Sequence, residues 1–406
     1  MTLKNNFSYS FLQSATIALG ILLQNLIAAW YLSPSELGAW AILMMLYRLA
    51  TPIVEGGWSR AIISQKDLND NQLQTLFTYN LGLSLLLILL LCLSANFIAK
   101  FFYINELTNY IYALSLIFLP IGIGALPSTL LKKNLAIGHL AKAQIVSAIV
   151  EFCLFLVLLY FGFRLWALLL PFIFKMFLLN FIYLYFQKIS IVFKNDFESV
   201  ITICTTASYD LGAQLLNYFY TNIDNILVAR FLGQAALGFY SLAWDLTVKP
   251  VAFFNPIIMR VAFPMMAQAE DLKAAYHHTM KQIAKIQVPI YLFLAISVPY
   301  LISLLYGESW KMASQTAQIL CFVALLRAIA EPGASVLVIT GKVKIEFYFQ
   351  IFNTILTFFS IFIFLYFHKS IENVAAAMLC AHIIIVSLWL TVVQTSVCTN
   401  QKSGEA

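Results

Sequence analysis

Charge is the scarcest commodity of this 406-residue chain. Lys, Arg, Asp and Glu together make up 10% of it, where a soluble domain carries about 25%. So few charges cannot cover a water-facing surface, so most of the surface faces something else. Cysteine is sparse and carries no pattern. Cys92, Cys153, Cys204, Cys321, Cys380 and Cys398 form no C-x-x-C pair and fall mostly in apolar stretches, as buried free thiols do. The five histidines show no H-E-x-x-H or comparable metal spacing, so neither a metal nor a cofactor is expected. D-x-D, a nucleophile–base constellation and a sizeable hydrophilic loop are all missing, which leaves a membrane polymerase or glycosyltransferase without residues for its chemistry. The net charge of +6 comes from short loops rather than a stripe along one face, so nucleic acid is not an expected partner. The chain is not expected to be an enzyme.

What the sequence has in abundance is apolar length. Hydrophobic residues reach 62%, with 34 Phe. Windows of about 20 apolar residues predict twelve membrane spans, near 8–31, 36–57, 75–98, 107–131, 142–162, 165–187, 201–231, 236–260, 285–306, 315–340, 343–367 and 372–397. The apolar stretch Phe7–Tyr31 exceeds the roughly 7–15 residues of a signal peptide core and reads as a retained first span. Gln268 to Ala284 reads as a separate amphipathic helix, interfacial or connecting, between the eighth and ninth spans. One set of loops, with the termini, holds most of the loop Lys and Arg, among them Lys4, Arg60, Lys66, Lys132, Lys133, Lys194 and Lys402. The alternate loops hold Lys100, Arg164, Arg230, Lys311 and Lys369. The basic excess places the first set, and both termini, in the cytoplasm.

The sequence also repeats itself. Gln24–Trp40 aligns without gaps on Asp224–Tyr240, matching Asn25 to Asn225, Ala29 to Ala229, Leu32 to Leu232, Leu37 to Leu237 and Gly38 to Gly238. The same register later matches Leu46 to Leu246 and Arg60 to Arg260. In each half this is the end of a first span, a tight turn and a second span. The repeat predicts two six-helix lobes, 1–198 and 199–406. Six is even, so both lobes enter the membrane the same way round, a parallel repeat of the kind some transporters use, with the substrate between the halves near the midplane.

Four basic residues fall near the centre of spans: Arg48, Lys175, Lys249 and Arg327. Each costs about 2.5–3.5 kcal/mol at mid-bilayer even on the lenient insertion scale. A water-filled cavity for an anionic substrate is one explanation. Charge pairing is the other, since Asp245 stands four residues before Lys249 and Glu331 four after Arg327. Arg48 has only Glu55, seven residues on, and Lys175 has no acid in its own span. Glu151 and Asp210 lie in spans without a nearby base. They are candidates either to pair with Lys175 or Arg48 across helices or to carry a coupling proton. Prolines concentrate in the spans, with Pro250, Pro256 and Pro264 all in the eighth, so bent helices are expected.

Several of these stretches resemble a known family. Leu32-Ser-Pro-Ser-Glu-Leu-Gly38, Glu55-Gly-Gly-Trp-Ser-Arg-Ala-Ile-Ile63 and Gln65-Lys-Asp-Leu68 are similar to the polysaccharide transporters of the multidrug/oligosaccharidyl-lipid/polysaccharide (MOP) exporter superfamily. So are Asp224-Asn225, Leu237-Gly-Phe-Tyr240 and Arg260-Val-Ala-Phe-Pro264 in the second half. The resemblance implies an all-α, MATE/MOP-like membrane protein of about twelve helices in two parallel six-helix lobes. It implies a Wzx-type flippase for undecaprenyl-diphosphate-linked oligosaccharide in the bacterial plasma membrane, working beside a polymerase and other polysaccharide-assembly proteins. The family's motif residues are mainly structural, so the cavity residues above rest on the charge argument alone. A drug antiporter of the same superfamily is the nearest rival, and four central cations disfavour it.

Overall fold

The computed structural model describes residues 3–65, 68–189 and 192–404. Lys66 and Asp67 of the quoted motif, and the side chains of Lys4, Pro256, Cys398 and Lys402, lie outside the described residues. The described chain runs as α1 (Leu3–Tyr31), α2 (Pro34–Val54), α3 (Trp58–Ser64), α4 (Asp70–Phe101), α5 (Leu107–Ser115), α6 (Phe118–Lys133), α7 (Ile137–Tyr160) and α8 (Trp166–Phe186). It continues as α9 (Phe197–Leu232), α10 (Gln234–Thr247), α11 (Lys249–Ala267), α12 (Leu272–Tyr306), α13 (Ala313–Ala330), α14 (Pro332–Ile339), α15 (Val343–Phe367) and α16 (Ile371–Gly404).

Apolar runs become helices because a backbone in hydrocarbon must satisfy its own hydrogen bonds. Among the described residues, ten helices or collinear helix pairs are long and apolar enough to cross a membrane. They match ten of the expected spans. α9 and the α10–α11 pair stand where the seventh and eighth spans were expected. α9, at 36 residues, is longer than any crossing requires, but Thr, Asn and acidic residues along it lower its hydropathy. Phe97 at 72% and Leu304 at 78% exposure show the outward apolar face that lipid, not water, accommodates.

Helix starts are fixed locally. Ser33 caps α2, its hydroxyl accepting from the Glu36 N–H while the Glu36 carboxylate accepts from the Ser33 N–H at 2.9 Å. Pro34 follows at the first helical position, where its missing N–H costs nothing. Asp271 caps α12, accepting from the N–H of Lys273 at 2.9 Å. From that cap α12 runs unbroken to Tyr306. The separate amphipathic helix expected over Gln268–Ala284 is therefore not formed: most of it is the polar first half of the ninth span's own helix.

The chain divides into two compact units, Met1–Tyr218 and Phe219–Ala406, with the division inside α9. The expected boundary at 198/199 lies at the start of that helix. The first part of α9 belongs to the N-terminal unit. Val200, Ile203 and Ala207 pack with Trp58, Ile62, Leu76 and Leu126 of α3, α4 and α6. The Gln72 amide donates to the Ser199 carbonyl at 2.8 Å. Gly57, at φ 68°, turns the chain into α3 where an added Cβ would strike the Ala207 carbonyl oxygen.

Close helix approach in each unit depends on glycine. A Cβ on Gly122 would overlap Ser84 of α4, and one on Gly124 would overlap Asn180 of α8. α6 therefore seats between α4 and α8. In the C-terminal unit Gly333 of α14 sits against Trp389 of α16 in the same way.

Candidate functional site

In the N-terminal unit, α7 and α8 pack side by side and bring Glu151 and Lys175 together. Their ion pair measures 2.7 Å, with side chains 10% and 20% exposed. The Lys175 ammonium also lies 5.8 Å over the Phe172 ring. Tyr47 and Trp40 of α2 meet that ring edge-on at 5.0 and 5.8 Å. Of the two explanations for Lys175, the structure holds the cross-helix pair. Arg48, the next residue along α2 from Tyr47, is exposed and forms no ion pair among the described residues. Glu55 ends α2, likewise exposed and without an ion pair among them. Asp210 pairs with neither Arg48 nor Lys175. It meets Arg60 of α3 at 2.5 Å and accepts from the Gln214 amide at 2.9 Å, clamping α9 to α3.

In the C-terminal unit, Lys249 pairs with Asp245 at 2.5 Å, the i,i+4 pair the spacing offered. The pair spans the break between α10 and α11, where Pro250 removes a helix donor. Arg327 and Glu331 do not pair. Glu331 is exposed at the α13–α14 junction, where Pro332 opens the next helix. Arg327 turns instead onto aromatic faces, its guanidinium carbon 5.8 Å from the Tyr220 ring and 5.6 Å from the Trp244 ring.

Beside Arg327 is a small chamber lined by Tyr220, Asp224, Trp244, Thr357, Met378 and His382, among others. Asp224 is 2% exposed and accepts a hydrogen bond from the Tyr240 hydroxyl at 2.8 Å. His382 is 4% exposed. The charge argument passed over Asp224 and His382, although both lie inside predicted spans. The signal was present: where the first repeat has Gln24 and Trp40, the second has Asp224 and Tyr240, a change that creates a buried acid and its donor together.

Comparison with known proteins fits this architecture. The profile of a polysaccharide biosynthesis protein family matches residues 27–315. The teichuronic acid biosynthesis protein TuaB of Bacillus subtilis is 28% identical over 304 residues, covering 73% of this chain and 63% of TuaB. The lipopolysaccharide biosynthesis protein WzxC of Escherichia coli is 27% identical over 347 residues, covering 84% of this chain and 70% of WzxC. The chain thus spans less than two thirds of TuaB and about two thirds of WzxC. Among solved structures, the lipid II flippase MurJ in an inward closed conformation superposes with a TM-score of 0.80 at 14% identity, covering 96% of this chain and 87% of MurJ. An inward-facing MATE multidrug resistance transporter of the MOP superfamily superposes at 0.66 and 15% identity, covering 94% of each chain. Likeness at that identity speaks for the fold, and the profile speaks for the lineage: this chain belongs to the polysaccharide biosynthesis protein family, on the helical fold it shares with MurJ and the MATE transporters.

Proposed function

We propose that this multi-pass membrane protein is a flippase. Its substrate is an undecaprenyl-diphosphate-linked oligosaccharide repeat unit of an O-antigen, capsule or exopolysaccharide. It moves that unit across the bacterial plasma membrane by alternating access, with both of its own termini in the cytoplasm. The family, the names of TuaB and WzxC and the MurJ-like fold support the class. The observation that carries the substrate's charge is Arg48, a guanidinium in the middle of an apolar helix, exposed and without a carboxylate partner among the described residues.

The physical reason follows from desolvation. A diphosphate and its sugars cannot enter hydrocarbon unaided, because their lost hydration costs far more than the lipid tail gains. Arginine presents a rigid fork of N–H donors that replaces water around phosphate oxygens two at a time. Lys175, Lys249 and Arg327 are the further cations that the sequence puts near the centres of spans. Lys175 and Lys249 are held by carboxylates, Glu151 and Asp245, which phosphate would have to displace. Arg48 has none to displace, so it is the first contact in this scheme. The undecaprenyl tail stays in the bilayer throughout. The test is complementation of a strain lacking the protein. Arg48→Gln should leave membrane protein levels normal and reduce surface polysaccharide at least about tenfold, about 1.4 kcal/mol of lost stabilisation. Unchanged polysaccharide would remove Arg48 from the substrate path.

A further inference from the structure

At one end of the N-terminal unit the first turns of α2 and α5 meet the approach to α8. Arg164, just before α8, donates to both carboxylate oxygens of Glu36 on α2, from Nε at 2.6 Å and from Nη2 at 2.9 Å. The Arg164 side chain is nonetheless 68% exposed, and its Nη1 donates to nothing among the described residues. The half-buried rings of Tyr110 on α5 and Trp166 on α8 stand 4.9 Å apart at 53°. Neither the Tyr110 hydroxyl nor the Trp166 indole N–H has a hydrogen-bond partner among the described residues. Tyr110 lies within electrostatic reach of Glu36, Arg164 and the exposed Glu106. The backbone marks the same spot. Arg164 has φ 50°, a left-handed conformation that costs a residue with a Cβ about 1–3 kcal/mol and persists only where its surroundings hold it. Glycine adopts it freely and stands only two residues earlier, at Gly162.

We propose that this platform is a sugar-binding subsite, which takes one pyranose of the substrate's oligosaccharide on the outer side of the membrane. That assignment rests on the flippase reading, which makes the cargo a glycan and this end of the unit the outer one. A pyranose is apolar on its C–H faces and polar around its rim. Its polarised C–H groups suit the negative face of an aromatic ring, and its hydroxyls donate and accept at once. The two tilted rings offer such a body two contact faces. Around the rim, the Glu106 carboxylate accepts from hydroxyls, while Arg164 Nη1 and the Trp166 indole N–H donate to them. Charge separates a sugar from the other amphipathic occupant, a phosphate headgroup. One guanidinium stands with two carboxylates, so the set carries excess negative charge and repels phosphate. The Glu36 pair also holds the guanidinium in place before a ligand arrives, so little side-chain freedom is lost on binding. The subsite discriminates among glycans by which rim hydroxyls meet these fixed donors and acceptors.

The test uses full-length protein in lipid nanodiscs. The probe is the lipid-free repeat-unit oligosaccharide released by partial acid hydrolysis from the surface polysaccharide of the strain that carries the protein. Saturation transferred from protein aromatic protons to sugar C–H protons reads binding, and a titration gives Kd. Wild type is expected to show transfer with a Kd at or below about 10 mM. Trp166→Leu is expected to raise Kd at least about fivefold, the scale of one aromatic contact. Arg164→Asn, which keeps the left-handed turn at low cost, is expected to raise it about tenfold, the scale of a hydrogen bond to a charged group. If Trp166→Leu does not accumulate, Tyr110→Leu and Arg164→Asn carry the test. Absence of transfer in wild type at about 10 mM oligosaccharide overturns the proposal. So does a Kd within about twofold of wild type in Arg164→Asn and in the aromatic variant, which puts the bound sugar elsewhere. The probe has neither diphosphate nor lipid tail, so a negative result leaves the flippase reading standing. Failed translocation in proteoliposomes with sugar transfer intact removes the flippase reading and leaves a glycan site.

Discussion

In the N-terminal unit Lys175 of α8 meets a carboxylate, Glu151 of α7, at 2.7 Å. In the C-terminal unit Arg327 of α13 meets no carboxylate at ion-pair distance among the described residues and lies over the rings of Trp244 and Tyr220. The difference follows from the two cations. An ammonium is compact and strongly hydrated, so removing its water demands a full negative charge in return. A guanidinium is flat and more weakly hydrated, and a π face stabilises it with its N–H edge left free. The first arrangement is closed and structural. The second leaves donors available to a ligand or to water.

Breaking the closed arrangement should have the largest effect. Glu151→Leu leaves a bare ammonium among apolar neighbours and is expected to cost about 3–5 kcal/mol, read as a fall in the thermal midpoint in detergent. Adding Lys175→Met should recover most of that loss, since two apolar groups of similar volume replace a neutral pair. A double variant as unstable as the single would mean that the pair is not the source of the effect. Next come the glycines that seat helices in each unit. Gly124→Ala against Asn180, and Gly333→Ala against Trp389, should each cost about 1–3 kcal/mol by overpacking. Equal losses would show that both units rely on close helix approach alike. Arg327→Lys should cost about 1 kcal/mol, because a lysine stacks on Trp244 and Tyr220 less well. The smallest effect belongs to Asp245→Asn. The partly exposed Lys249–Asp245 pair should be worth at most about 1 kcal/mol and weaken further in salt.

The comparison also shows where sequence logic reaches. Ten of the spans were legible because apolar length has one meaning for a backbone without water. The turn at Ser33–Pro34 and its repeat partner at Gly233–Gln234 fall at aligned positions, as the gapless match requires. The i,i+4 pair of Lys249 and Asp245 was legible because four residues keep the two ends within reach even across the α10–α11 break. Arg327 with Glu331 had the same spacing and failed, since Pro332 opens a new helix beside Glu331 and the guanidinium lies instead over the rings of Tyr220 and Trp244. No periodicity reports a partner on another helix, so Glu151 with Lys175 was one option among several and Arg60 with Asp210 was unforeseen. The repeat marks Asp224 and Tyr240, but the chamber that Asp224 shares with His382 was hidden for a similar reason. Each looks isolated in its own span, and only the packing of α9, α13 and α16 gives them a common chamber.

The central claim is that a guanidinium at membrane depth carries the charge of an anionic lipid-linked glycan. Its most direct measurement is translocation of a fluorescent undecaprenyl-diphosphate oligosaccharide in proteoliposomes, counted as the fraction that becomes inaccessible to an external quencher. Wild type should protect the label, Arg48→Lys should retain partial activity, and Arg48→Gln should fall by at least about tenfold at equal protein density. Equal rates for wild type and Arg48→Gln would contradict the account.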